Sequence, residues 1–218
     1  MSLKPNARKF DLLPEDTHHA ICVAVYDVGT HMESYENNPP KPKQKLWITW
    51  ELPEVRCKIQ RDGQEVDMPR VYSQEYTNSR HVKASFMIDL VSWKAIAPND
   101  SPRKLLGKNC LLGIVHVKKR DHNGNVIATY QNKSAILPLT NKYEVLQPEN
   151  PLVLYEIESG ENFPDGMPEF IREKARKSLE FQGKHQADDN QLPCDDKGDY
   201  DGSEPTPDDD GPADIPWE

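Results

Sequence analysis

The chain has 218 residues, with 27 Lys and Arg against 36 Asp and Glu and a formal charge of −9 at pH 7. That length allows one real core with appendages and excludes a large multidomain enzyme. Hydrophobic residues make up only 36%, and 19 prolines outnumber 11 glycines, which points to an unfolded portion. No apolar run approaches the roughly 20 residues of a membrane span, and Met1 to Phe10 lacks a signal-peptide apolar region, so a soluble cytoplasmic protein without a membrane role is expected. Cys22, Cys57, Cys110 and Cys194 form no CxxC pair, so reduced thiols are expected.

The average charge against a nucleic-acid partner hides an uneven distribution. Residues 187–218 carry a net −11, the remainder +2, and residues 1–140 alone +5. A mildly basic body joined to a strongly acidic segment suggests a partner surface or an interaction tail. The segment is rich in Asp, Gly and Pro, and it lacks the apolar surface that would offset the entropy of ordering. The expected organisation is therefore a folded domain over residues 1–186 and a disordered acidic tail over 187–218.

Along the body, His19 to Val28 alternates, with Ile21, Val23 and Val25 on one side and Cys22, Ala24 and Tyr26 on the other, which predicts a strand. A proline-rich linker, Asn37 to Gln44, follows. Lys45 to Leu52 alternates again, Leu46, Ile48, Trp50 and Leu52 opposing Trp47, Thr49 and Glu51. Asp62-Gly63 predicts a hairpin leading into Arg70 to Thr77, where Tyr72 and Tyr76 share a face. From Arg80 to Ile96 the period becomes helical, with Val82, Phe86, Leu90 and Trp93 on one stripe and Ser79 as N-cap. Asn109 to Lys118 and Val126 to Asn132 flank the turn at Asp121 to Asn125 as a second hairpin. Leu152 to Ile157 suggests one more strand, and Pro168 to Gln182 a helix. The order of three strands, a helix and two strands is that of the five-stranded OB barrel, which commonly binds oligonucleotides on strands 2 and 3 and on loops 1–2 and 4–5. The predicted class is thus mainly β, an OB barrel with a C-terminal helix.

No HExxH, phosphate-loop, GxGxxG or GxSxG motif occurs, so neither an enzyme nor a cofactor or metal site is expected. Basic residues interleaved with aromatics fit single-strand binding better, since lysines and arginines meet phosphates and rings stack bases. The candidates are Lys41, Lys43 and Lys45 by loop 1–2, Lys118, Lys119 and Arg120 by loop 4–5, and Trp47, Tyr72 and Tyr76 for stacking. Trp50 and Trp93 are expected in the core, with Tyr26 and Tyr130 as weaker stacking candidates. Tethered beside this surface, the acidic tail is expected to compete with DNA.

The chain ends DDDGPADIPWE, which resembles the acidic tip of bacterial single-stranded DNA-binding proteins, Asp-Asp-Asp-Ile-Pro-Phe. Asp214, Ile215, Pro216 and Trp217 match by position, with Trp in place of Phe, Gly-Pro-Ala inserted after the acidic run and Glu218 added at the end. The resemblance implies docking on replication or recombination proteins. From about Leu13 to Phe181 the body resembles a family of bacteriophage OB-fold single-stranded DNA binders. The matching segments are Val25 to Thr30, Lys45 to Pro53, Leu106 to Lys108 and Met167 to Ile171. Together these imply a phage protein that coats single-stranded DNA in the host cytoplasm, its oligomeric state left open. Two alternatives remain: a protein-interaction or DNA-mimic module that binds no DNA, and a single-strand annealing or nuclease-type enzyme.

Overall fold

A computed structural model describes residues 11–34, 38–61 and 63–188, of which 61 and 184–188 in backbone only. Asp62 of the expected hairpin turn, the acidic segment from 189 onward and the tip residues Asp214, Ile215, Pro216 and Trp217 lie outside the described residues. Five antiparallel strands form an OB-like, curled half-barrel: β1 (Asp16–Glu33), β2 (Lys41–Arg61), β3 (Gln64–Thr77), β4 (Asn109–Arg120) and β5 (Val126–Pro138), in the order β3-β2-β1-β4-β5. A short β6 (Val153–Tyr155) runs parallel to β1. Helix α1 (Ser85–Trp93) lies between β3 and β4 in the chain, and α2 (Glu169–Arg176) and α3 (Leu179–Asp188) end the described body.

Strict alternation fails in β1 because a bulge falls between Cys22 and Ala24. One extra residue moves the following side chains to the other face. Ala20, Cys22 and Val25 therefore join the barrel core, while Ala24, Tyr26 and Val28 join a second cluster outside it. This lets one strand serve two layers. The barrel core also takes Leu46, Ile48, Trp50 and Leu52 from β2 and Phe86, Leu90 and Trp93 from α1.

Several boundaries differ from the expected ones. The proline-rich stretch is already strand from Lys41, because its ladder to β1 runs from Glu33 opposite Lys41 onward. Proline fits such a position near a strand's start. Helix α1 is shorter than its apolar stripe, and its N-cap is Ala84 with no side-chain bond. Val82 lies in the preceding turn, 72% exposed, and the Ser79 hydroxyl instead accepts the His81 N–H. The C-terminal helix divides in two at Ser178, whose buried hydroxyl accepts the Phe181 N–H, the usual start signal of a new helix.

The ladder order leaves β3 and β5 as edges, and side chains close the seam between them. The Lys133 backbone N–H donates to the Tyr72 hydroxyl at 2.9 Å, and Lys133 Nζ lies 2.7 Å from Asp89 on α1. Asp89 also accepts the Tyr76 hydroxyl at 2.7 Å. Further along the seam, the Arg70 guanidinium holds the carbonyls of Asp11 and Leu12, and the Leu13 N–H donates to Gln131 on β5. The N-terminal segment thus bridges the gap as a strap.

Gly29 marks where α3 meets β1. Its φ is +77°, and an added Cβ would sit 2.6 Å from the Glu180 carboxylate and 2.7 Å from Ser178 Cβ. Gly29→Ala combines left-handed strain with this collision, and the expected loss of at least about 1 kcal/mol lowers Tm by several degrees. An unchanged melting curve would contradict the close approach.

Burial pushes the Tyr26 hydroxyl up to about 12, and it raises Tyr72 and Tyr76 as well, with the nearby Asp89 carboxylate adding to both. Unfolded tyrosines ionise near 10, so the folded-state values are raised. The stability these groups contribute is fully present below about pH 10 and is lost as pH rises toward the folded values. A denaturant titration series is expected to show stability falling from about pH 10 upward, with the buried phenolates appearing only as the chain unfolds. Full tyrosine ionisation in a still-folded protein would contradict this.

Candidate nucleic-acid interface

Trp47 stands on the outer face of the sheet, opposite Tyr26 of β1 and Glu75 of β3, where β-alternation puts it. That face is roofed. The Phe170 ring of α2 meets Trp47 edge-on at 5.4 Å, Trp47 is half-buried, and its indole N–H has no acceptor among the described residues. Lys174 of α2 pairs with Glu75. A fully buried carboxylate, Glu51, anchors the chain leading to the roof by accepting the Glu149 and Asn150 backbone N–H groups at 2.9 and 2.7 Å and the Asn150 side-chain amide at 2.7 Å.

Magnitudes decide whether a nucleobase can displace this roof. Met167, Ile171 and Phe181 are buried in the second cluster, each side chain worth roughly 1.5–3 kcal/mol of burial. One base stack is worth about 1–3 kcal/mol. The roof wins, so Trp47 belongs to the outer core.

The other two aromatic candidates are corrected in the same way. Tyr72 and Tyr76 are 4% and 3% exposed and pack with Trp50 in the barrel, because their face of β3 is the inner one and their hydroxyls tie the seam. Neither ring offers a face to a base. Lys45 is corrected too: its side chain is 8% exposed, with Nζ 2.7 Å from Glu33, 3.7 Å from Glu75 and 3.0 Å from the Thr77 hydroxyl. The hydrogen bond from Lys45 holds the Glu33 carboxyl below its usual range, so this lysine's charge is matched inside the protein. Trp50 and Trp93 are core at 1% and 2% exposure, and Tyr26 is buried.

The remaining candidates are accessible. Lys41 is exposed at the start of β2, and Lys43, half-exposed, lies 3.8 Å from Glu33. Lys118, Lys119 and Arg120 are all exposed at the end of β4, and none has a carboxylate within 4.0 Å among the described residues. Arg120 donates to the Gly124 carbonyl of its own turn. The two basic groups stand at opposite ends of β1: Lys41 pairs with Glu33 at its end, whereas Asp16 at its start pairs with Ile114 and β4 continues past it.

The β4–β5 ribbon also carries Tyr130, 51% exposed and directly opposite Val117. Alternation puts Lys119 on the same face, while Lys118 and Arg120 project from the other. Beside the ribbon runs a groove of about 440 Å³ whose walls include Asp11, Leu12, Arg70, Val117, Tyr130 and Asn132. Tyr130 is thus the one accessible ring among the weighed aromatics. Local alternation does not mark it as exposed, because Tyr130 shares its face with Val117, an apolar set that period two alone would assign to a core. Arg70 was missed because nothing local reveals that it faces the N-terminal strap.

Among the described residues no group of three or more His, Cys, Asp or Glu is placed to hold a metal ion, and no helix is long and apolar enough to cross a membrane. Comparison of the chain with protein-family models, curated proteins and solved structures returns no match in any of the three.

Trp47→Ala is expected to destabilise the fold by about 2–4 kcal/mol, in the range of large-to-small core changes. Its affinity for an oligothymidine, measured below the melting transition, is expected to stay within about two-fold, a few tenths of a kcal/mol. Weakened binding with an unchanged melting temperature would return Trp47 to the interface.

Proposed function

We propose that this chain is a sequence-independent single-stranded DNA-binding protein, and that the strand follows the groove beside the β4–β5 ribbon. One observation carries the reading: the exposed Tyr130 ring stands on a projecting ribbon with three cations, Lys118, Lys119 and Arg120, that no described carboxylate neutralises. An aromatic face accepts any base, and unpaired cations accept phosphates, which gives affinity without sequence readout. Binding is stoichiometric coating, with no covalent step and no cofactor.

Sequence resemblance supports the finer reading: a phage replication or recombination protein in the host cytoplasm, recruiting partners through Asp214, Ile215, Pro216 and Trp217. The roofed outer face favours a second reading, a protein-interaction module that binds no DNA. Failure of the full chain to bind single-stranded DNA, duplex DNA or RNA in a gel shift would favour that module.

Tyr130→Ala is expected to weaken binding to an oligothymidine by about 5- to 100-fold, the equivalent of one lost stack. Replacing Lys118, Lys119 and Arg120 together by Ala is expected to reduce the salt slope of binding by about 2, since each single-strand phosphate contact contributes roughly 0.7. Variants that bind like the parent chain, while the parent chain does bind, would refute this interface and leave the function standing elsewhere on the surface.

A further inference from the structure

The groove beside Tyr130 has two walls of different origin. One is the β4–β5 ribbon, with Val117, Tyr130 and Asn132; the other is the strap, with Asp11 and Leu12. The strap is pinned at several points. Leu13 is fully buried in the barrel core, its N–H donates to the Gln131 side chain at 2.8 Å, and its carbonyl accepts from the His116 ring at 2.7 Å. Arg70 donates to the carbonyls of Asp11 and Leu12. Whatever precedes Asp11 in the chain therefore starts at the wall of the groove.

The two walls differ in charge. On the face of Tyr130 the ribbon offers Lys119, whereas the strap brings a carboxylate, Asp11, to the lining. The ten residues before it reverse that sign, since they contain Lys4, Arg8 and Lys9 and no Asp or Glu. Their covalent tether bounds how far these cations can be. With consecutive Cα atoms 3.8 Å apart, the Cα of Lys9 stays within about 7 Å of that of Asp11, and the Cα of Arg8 within about 11 Å, for any backbone conformation. The Debye length at physiological salt is about 8 Å, so both charges act on a phosphate lying in the groove.

We propose that the segment preceding the strap is the second half of the nucleic-acid site: Arg8 and Lys9, with Lys4 behind them, meet the phosphates from the strap side while Tyr130 and Lys119 hold the strand from the ribbon side. This rests on the reading that a single strand follows the groove beside the ribbon, and it names the groups that retain the strand from across that groove. Cations on a tether follow the phosphate backbone and read no base, in keeping with binding that is independent of sequence. Ordering the segment on binding costs conformational entropy. Its contribution is therefore largest at low salt, where released counterions offset that cost.

The test is a salt series of anisotropy titrations with a labelled oligothymidine, comparing the full chain with two double variants of equal charge, Arg8→Ala/Lys9→Ala and Lys104→Ala/Lys108→Ala. Lys104 and Lys108 are exposed just before β4, at the end of that strand away from the ribbon's turn. The expected result for the first variant is a salt slope lower by about 1.4, at roughly 0.7 per lost phosphate contact, and binding weakened on the order of ten-fold or more at low salt. The second variant is expected to stay within about two-fold of the parent chain, because screening mutes distant charges. Equal melting temperatures show that the body is intact in all three proteins. If Arg8→Ala/Lys9→Ala binds like the parent chain while Tyr130→Ala binds more weakly, the segment has no part in the site and the DNA-binding reading stands without it. Equal losses in the two double variants also overturn the proposal, since net charge alone would then account for them, as does a loss in the first variant with none in Tyr130→Ala, which would put the strand outside the groove. A parent chain that binds no oligonucleotide overturns both this proposal and the reading on which it rests.

Discussion

Lys133 holds together the two ends of a sheet that do not hydrogen-bond to each other as strands. Its backbone N–H reaches Tyr72 on β3, and its ammonium reaches Asp89 on α1, which also takes the Tyr76 hydroxyl. The Lys133 and Asp89 side chains are only 13% and 12% exposed, so removing one partner strands the other's charge with little water, at a cost of a few kcal/mol. A backbone ladder would have made the same join at every residue. Here it is made at a few points, and the openings beside them become grooves.

That arrangement separates structural from accessible aromatics. The rings nearest the seam are committed to it, and the outer sheet face is committed to α2 and α3 through Glu51, Gly29 and the second cluster. What remains free is the part of the β4–β5 ribbon that runs past β1, where Tyr130 has a strand partner but no layer above it. Its cations have no carboxylate partners among the described residues for the same reason: little of the body lies beside them.

Much of the barrel was legible in the sequence because its strands alternate and its turns carry Gly and Asn. The inner face of β2, from Leu46 to Leu52, reads directly from period two. The bulge after Cys22 does not, since one extra residue leaves no mark in composition yet reverses the faces of Ala24 and Tyr26. Nor does the roof: Trp47 looked like an odd aromatic on a polar face only because its cover, Phe170, lies more than a hundred residues later. Tyr72 and Tyr76 share a face as expected, but which face that is depends on the seam, a tertiary fact. Lys45 differs from Lys41 and Lys43 solely by its neighbours Glu33 and Glu75 across the sheet. The cation cluster at Lys118 to Arg120, by contrast, was readable as exposed because a turn follows it at once.

The placement of the nucleic-acid contacts on the ribbon is tested most directly by hydrogen-exchange mass spectrometry of the full chain with and without an oligothymidine. Protection is predicted over residues 115–132 and in the strap from Asp11, with residues 45–51 and the α2 segment unchanged. Protection concentrated at 45–51 and 71–77, or loosening of α2 on binding, would contradict it and put the strand on the outer face of the sheet.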